Sequence, residues 1–152
     1  MSTKRSIQTI ALACSVFAYG PRRTFAQTPS VVPSQFAKAK TLFLGFEGGV
    51  TNEVTNAEGL AILQEALIRE HRYGLVRNPS EADLSARVLL SDGGFVVSLF
   101  DTKTGMLLWK LGAVHNCGGL KGSCTKQFVR SAHEITDRLE ALSAGKIPEQ
   151  PK

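Results

Sequence analysis

The chain has 152 residues, with 18 Lys+Arg against 13 Asp+Glu for a formal net charge of +5. Four of the basic residues, Lys4, Arg5, Arg22 and Arg23, lie in the first 26 positions, and without them 14 basic residues face 13 acidic ones. The remaining charges alternate in sign, as in Glu65, Arg69, Glu70 and Arg72, which excludes the clustered basic face that a nucleic-acid binder needs to neutralise phosphates.

Lys4 and Arg5 precede a short apolar run from Ile10 to Gly20. Gly20-Pro21 breaks the run, and Thr24-Phe25-Ala26 ends it in a small residue before Gln27. This order predicts a secretory signal peptide over residues 1–26, too short to anchor in a bilayer. It directs the protein to the periplasm or beyond, an oxidising setting, and removes Cys14 from the mature chain. A second reading of the leader takes Ala11-Leu12-Ala13-Cys14 as a lipobox. Cys14 would then be acylated and the protein tethered to the bacterial envelope, its only route to a membrane. Residues 27–37, with Pro29 and Pro33, are expected to be a flexible lead-in. A single domain is expected over 38–143, within the usual size of one domain, and 144–152 is a polar tail.

Thr41-Leu42-Phe43-Leu44-Gly45-Phe46 is a compact apolar run, predicted to be a buried strand that stops in a turn at Glu47-Gly48-Gly49. Gly48-Gly49 lacks the following Lys-Ser/Thr pair of a phosphate-binding loop. Thr55 or Asn56 can cap a helix from Ala57 to about Arg72, with Leu60, Leu63 and Leu67 on one face and a Glu65–Arg69 pair outside. His71 is expected to close this helix and pack near Tyr73. A short strand at Tyr73–Val76 ends in Asn78-Pro79-Ser80. Leu84, Ala86, Val88 and Leu90 alternate with Ser85, Arg87 and Leu89, and turns at Asp92-Gly93-Gly94 and Asp101–Gly105 lead into strands at Phe95–Phe100 and Met106–Leu111. Three strands with such short connections form an antiparallel meander. The last element is a helix from about Thr125 to Leu142, with Phe128, Ala132, Ile135, Leu139 and Leu142 in one stripe. At roughly 27 Å it can cover a small sheet. The predicted fold is a two-layer α+β domain, its mixed, mainly antiparallel sheet carrying both helices on one face, in the order β-α-β-β-β-β-α.

The segment Ala82-Asp83-Leu84 followed by Asp101-Thr102-Lys103-Thr104-Gly105-Met106-Leu107-Leu108-Trp109 resembles small secreted bacterial domains with an "ADL" strand before a "D-x-x-T-G-x-x-x-W" hairpin. The general plan is also similar to the N-terminal domain of TolB and to the curli secretion lipoprotein CsgG. The resemblance implies a non-catalytic envelope or assembly domain and supplies no catalytic residues. The hairpin has its own physics: Asp101 can accept from the turn amides, Gly105 supplies a positive φ, and Trp109 anchors the returning strand. The same string occurs in quinoprotein propeller blades, but a propeller needs several copies and this chain has one.

Cys117 and Cys124 bracket a glycine-rich loop and remain as an even pair after loss of the leader, which predicts a disulfide. The alternative is a metal or small-ligand site built from His115, Cys117, Cys124 and His133, whose spacing fits none of the common zinc patterns. A third reading places a hydrolase at Glu47 and Glu53, beside the glycine-rich loop after the first strand. The sequence contains neither Gly-x-Ser-x-Gly nor His-Glu-x-x-His. No cofactor is expected, and the favoured partner is another envelope protein. Intact mass spectrometry of the exported protein, unreduced, is expected to give a chain beginning at Gln27 and lighter by one pair of hydrogens. A lipid-modified chain beginning at Cys14 would replace the soluble reading with the tethered one.

Overall fold

A computed structural model describes residues 31–49, 54–117 and 123–149. The predicted leader, Glu53, the Gly118–Gly122 stretch and the last three residues lie outside that description. The elements are α1 (Gln35–Lys38), β1 (Thr41–Gly49), α2 (Asn56–Glu70), β2 (Gly74–Val76), a 3₁₀ turn (Pro79–Glu81), β3 (Leu84–Ser91), β4 (Gly94–Asp101), β5 (Leu107–Val114) and α3 (Ser123–Ser143). They build the expected two-layer α+β domain around one five-stranded mixed sheet of order β2-β1-β3-β4-β5. β1 pairs in parallel with both β2 and β3, whereas β3–β4 and β4–β5 are the antiparallel meander.

Alternation along the strands decides which side is covered. Leu84, Ala86, Val88 and Leu90 of β3 lie beside Phe95, Val97 and Leu99 of β4 and Trp109, Leu111 and Ala113 of β5. All are buried in one cluster with Leu63 and Leu67 of α2 and Phe128, Ala132, Ile135, Leu139 and Leu142 of α3. Phe95 and Phe128 meet edge-on, centroids 5.2 Å apart and planes at 80°, the favoured geometry for two rings.

α2 starts at a capping box. Thr55 Oγ1 accepts from the Glu58 amide, and the Glu58 carboxylate accepts from the Thr55 amide, satisfying two donors that the helix itself leaves unpaired. His71 ends the helix in the left-handed region, φ 53°. It is exposed at the mouth of a hollow that Tyr73 also lines.

Two segments depart from expectation. Residues from Val31 onward, assigned to the lead-in, include the single turn α1, and Phe36 on it is fully buried. Tyr73 Oη donates to the Phe36 carbonyl at 3.4 Å, so the segment is fastened at its one aromatic residue. Gly48-Gly49, expected to be a turn, instead continues β1 past an irregularity in its pairing with β3. Gly49 has φ 149°, and a Cβ there would lie 2.4 Å from the Leu90 carbonyl oxygen. The backbones are too close for any side chain, which is why glycine stands there. At the other end, Gly145 (φ 73°) terminates α3 while the Lys146 amide donates back to the Ala141 carbonyl, a glycine-capped helix end.

Because Phe128 fills the centre of the core, Phe128→Ala should lower stability by about 3–5 kcal/mol, seen as a lower denaturant midpoint with an unchanged slope. Phe100→Ala, on the uncovered face of the sheet, should cost clearly less. Equal losses would contradict this layering.

Candidate functional site

The hairpin residues singled out in the sequence take the geometry their chemistry suggests. Asp101 Oδ1 accepts from the amides of Lys103 and Thr104, each at 2.9 Å, and the Gly105 amide donates to the Asp101 carbonyl with φ 69° at the glycine. Trp109 is buried beside Leu99. These bonds hold the Asp101 carboxyl below its ordinary range, the Thr104 amide being the main cause.

Asp83 is a second fastening, unpredicted because its partners lie more than 40 residues away. Its Oδ2 accepts from the amides of Lys40 (2.8 Å) and Thr41 (3.1 Å) and from Thr41 Oγ1 (3.2 Å). In return, Thr41 Oγ1 accepts from the Asp83 amide. The start of β1 is thereby clasped to the start of β3. The Lys40 and Thr41 amides lower the Asp83 pKa, with a smaller contribution from Lys103.

Cys117 and Cys124 are joined, S–S 2.08 Å and Cα–Cα 4.7 Å, so the disulfide tethers the exit of β5 to the first turn of α3. The sulfurs are bound to each other, and among the described residues no group of three or more His, Cys, Asp or Glu could hold a metal ion. His115 Nε2 bonds Glu134 Oε1 at 2.8 Å. Glu134 also meets Arg130 Nε at 3.3 Å and Arg138 Nη2 at 3.7 Å, and Arg138 Nη1 donates to the Gly112 carbonyl. His133 is not with His115. It lines a groove between α2 and α3 with Ile62, Glu65 and Val129. The proposed four-residue ligand set therefore comes apart into a disulfide, a histidine hydrogen-bonded to Glu134 and a groove histidine. Glu47 is exposed near the end of β1, while Glu53 lies outside the described residues.

The hollow beneath His71, lined by Leu67, Tyr73, Thr136, Leu139 and Glu140 among others, holds about 210 Å³. That is less than the roughly 300–1,000 Å³ of most small-molecule sites.

The sheet's outer face is the surface that sequence alone did not reveal. All three helices contribute to the core on the opposite face, and the strand register sorts the outer face into rows. One row is apolar: Val76, Phe43, Phe100 and Leu107, with Ser85 between the two rings. The next is cationic: Gly45, Arg87, Ser98 and Lys110. The third is apolar again: Gly48, Leu89, Val96 and Gly112. Arg87 lies over the Phe100 ring at 4.7 Å, an attractive cation–π geometry that also fixes the guanidinium on the face. Leu89 is 40% and Leu107 52% exposed. These three rows contain no carboxylate. The signal was available in the alternation of Ser85, Arg87 and Leu89, but the rows exist only once the register is known.

No family model matches the chain, and no curated protein matches it in sequence. Among solved structures, the fold is similar to the PelC dodecamer from Paraburkholderia phytofirmans, with 11% identity and a TM-score of 0.52 over 74% of this chain and 93% of that one. More distant likenesses are E. coli LpoB, at 16% identity and TM-score 0.40 over 74% and 82% of the two chains, and TolB from Acinetobacter baumannii. The TolB match has 14% identity and TM-score 0.39 over 68% of this chain and 28% of that one. At these identities the likeness to PelC is one of fold. Among the described residues no helix is long and apolar enough to cross a membrane.

Asp83 and Asp101 both have native pKa values depressed below the ordinary 3.8, so each stabilises the fold when ionised. Their contributions are complete above the unfolded value and are lost as pH falls through the lower native values. Acid titration of Asp83→Asn should therefore show a flatter loss of stability below about pH 4 than the unaltered protein. Parallel curves would exclude the clasp as a source of acid sensitivity.

Proposed function

We propose that the protein is an exported, non-enzymatic domain that works by binding another component of the cell envelope. The observation that carries this reading is the one-sided sheet, whose outer face presents two apolar rows and a cationic row instead of a second helical layer. A face of that kind gains most when another macromolecule removes it from water. The leader grammar, the disulfide and the resemblance of the hairpin to small secreted bacterial domains support the envelope setting. PelC, which shares the fold, is a dodecamer, and this chain is likewise taken to work through contacts with other chains. In this reading the protein carries no cofactor, and it meets a membrane only if Cys14 is acylated.

Replacing Ser98, in the middle of the outer face, with a photo-crosslinking phenylalanine analogue tests the reading in cells. A defined adduct is expected from Ser98, weakened by Arg87→Glu and absent when the analogue replaces Glu140 on the helical side. No adduct from Ser98, or an equal pattern from both positions, would remove the outer face as the contact surface.

A further inference from the structure

The charge pattern of the outer face has a counterpart on the other side of the same molecule. Glu58, Ala61, Glu65 and Ile68 follow one another along α2 at steps of three, four and three, which places them in one stripe. All four are exposed, and Ile68 is 56% so, which leaves a large aliphatic side chain available to a partner surface. Ala61, Glu65 and Ile68 read apolar, acidic, apolar over about 10 Å of helix. The outer rows read apolar, cationic, apolar over about 13 Å of strand. Glu58 is held by the capping box, and Glu65 bonds Arg69 at 2.9 Å. Arg69 is the one cation beside the stripe on α2, where Glu58, Glu65 and Glu70 are the acids.

We infer that the component seated on the outer sheet face is a second copy of this chain, which lays its α2 stripe across the rows. Glu65 then meets Arg87 and Lys110, while Ile68 and Ala61 enter the apolar rows on either side. This deepens the reading of the outer face as a contact surface and rests on it. Sheet face and α2 occupy opposite layers of the domain, so the contact is head-to-tail. Each bound copy still offers a free sheet face or a free α2, and such a contact propagates into a ring or an open chain rather than stopping at a two-fold dimer.

The test is the mass in solution of the full chain after export and purification, measured by light scattering and native mass spectrometry across a concentration series. The unaltered protein is expected to form species larger than a dimer. Arg87→Glu and Glu65→Arg, each made alone, should weaken assembly about tenfold or more, with circular dichroism confirming that both variants fold. Mixing the two variants should restore association, because the first keeps an intact α2 and the second an intact sheet face. A protein that is monomeric throughout the series, a dimer that grows no further, or an assembly indifferent to both reversals would overturn the inference. If the purified protein is monomeric while Ser98 still crosslinks in cells to a different protein, the inference falls and the broader reading stands. If Ser98 gives no adduct at all, both fall.

Discussion

Phe128 against Phe95 is the contact on which the arrangement of this domain turns. Phe95 opens the covered face of β4, and Phe128 stands in the stripe that runs through α3. With both rings fully out of water, α3 has no freedom to cross the sheet elsewhere without exposing two large apolar side chains, each worth roughly 1.5–3 kcal/mol of burial. α2 then fills the space left beside α3. Its Gly59 admits the Leu90 side chain, for a Cβ at that position would sit 2.2 Å from Leu90 Cδ2. The single layer of helices is thus set by side-chain packing, and its consequence is the bare face opposite.

The same contact places the disulfide. Ser131 Oγ, one turn beyond Phe128, donates to the Gly93 carbonyl at 2.8 Å, and the His115 amide donates to the same oxygen at 3.3 Å. A Cβ on Gly93 would collide with the His115 carbonyl oxygen at 1.8 Å and approach Cys117 Sγ at 3.3 Å. The β3–β4 hairpin, the exit of β5 and α3 therefore converge on one glycine. The disulfide closes that junction covalently, restricting a short loop that the unfolded chain would otherwise leave open, a contribution of order 2–3 kcal/mol in the chain-entropy model.

What could be read from the sequence was whatever depends on neighbours along the chain. The alternation of Leu84 to Leu90, the stripe from Phe128 to Leu142, a helix cap at Asn56 or Thr55 and the Asp101–Gly105 turn all declare themselves within a few residues, and the structure has each of them, with Thr55 as the cap. α1 did not, because a single turn has no period to detect and Phe36 is buried by tertiary contacts alone. Gly48-Gly49 was misread because glycine pairs commonly mark turns, whereas here they permit close passage beside Leu90. The Asp83 clasp and the three outer rows depend on β1 lying between β2 and β3. That placement brings together residues about 40 apart, and no local pattern encodes it.

The covered and uncovered parts of the sheet also bear on where other chains can attach. A free strand edge is the usual invitation to pairing, and this sheet has two. The β2 edge is only three residues long, too short for a ladder of any strength. The β5 edge is eight residues long. In an antiparallel ladder alternate residues turn their peptide groups to the partner strand. The His115 amide faces Gly93, the residue just before β4, so Gly112, three residues earlier, faces outward. Its carbonyl is taken by Arg138, which Glu134 holds in position, and Lys110, whose peptide groups face the same way, adds an exposed charge. An incoming strand would have to displace a charge-assisted hydrogen bond to gain a neutral one, an unfavourable exchange. With one edge short and the other guarded, the outer face is the broad surface left on the sheet side, and its apolar and cationic rows make it selective as well as accessible.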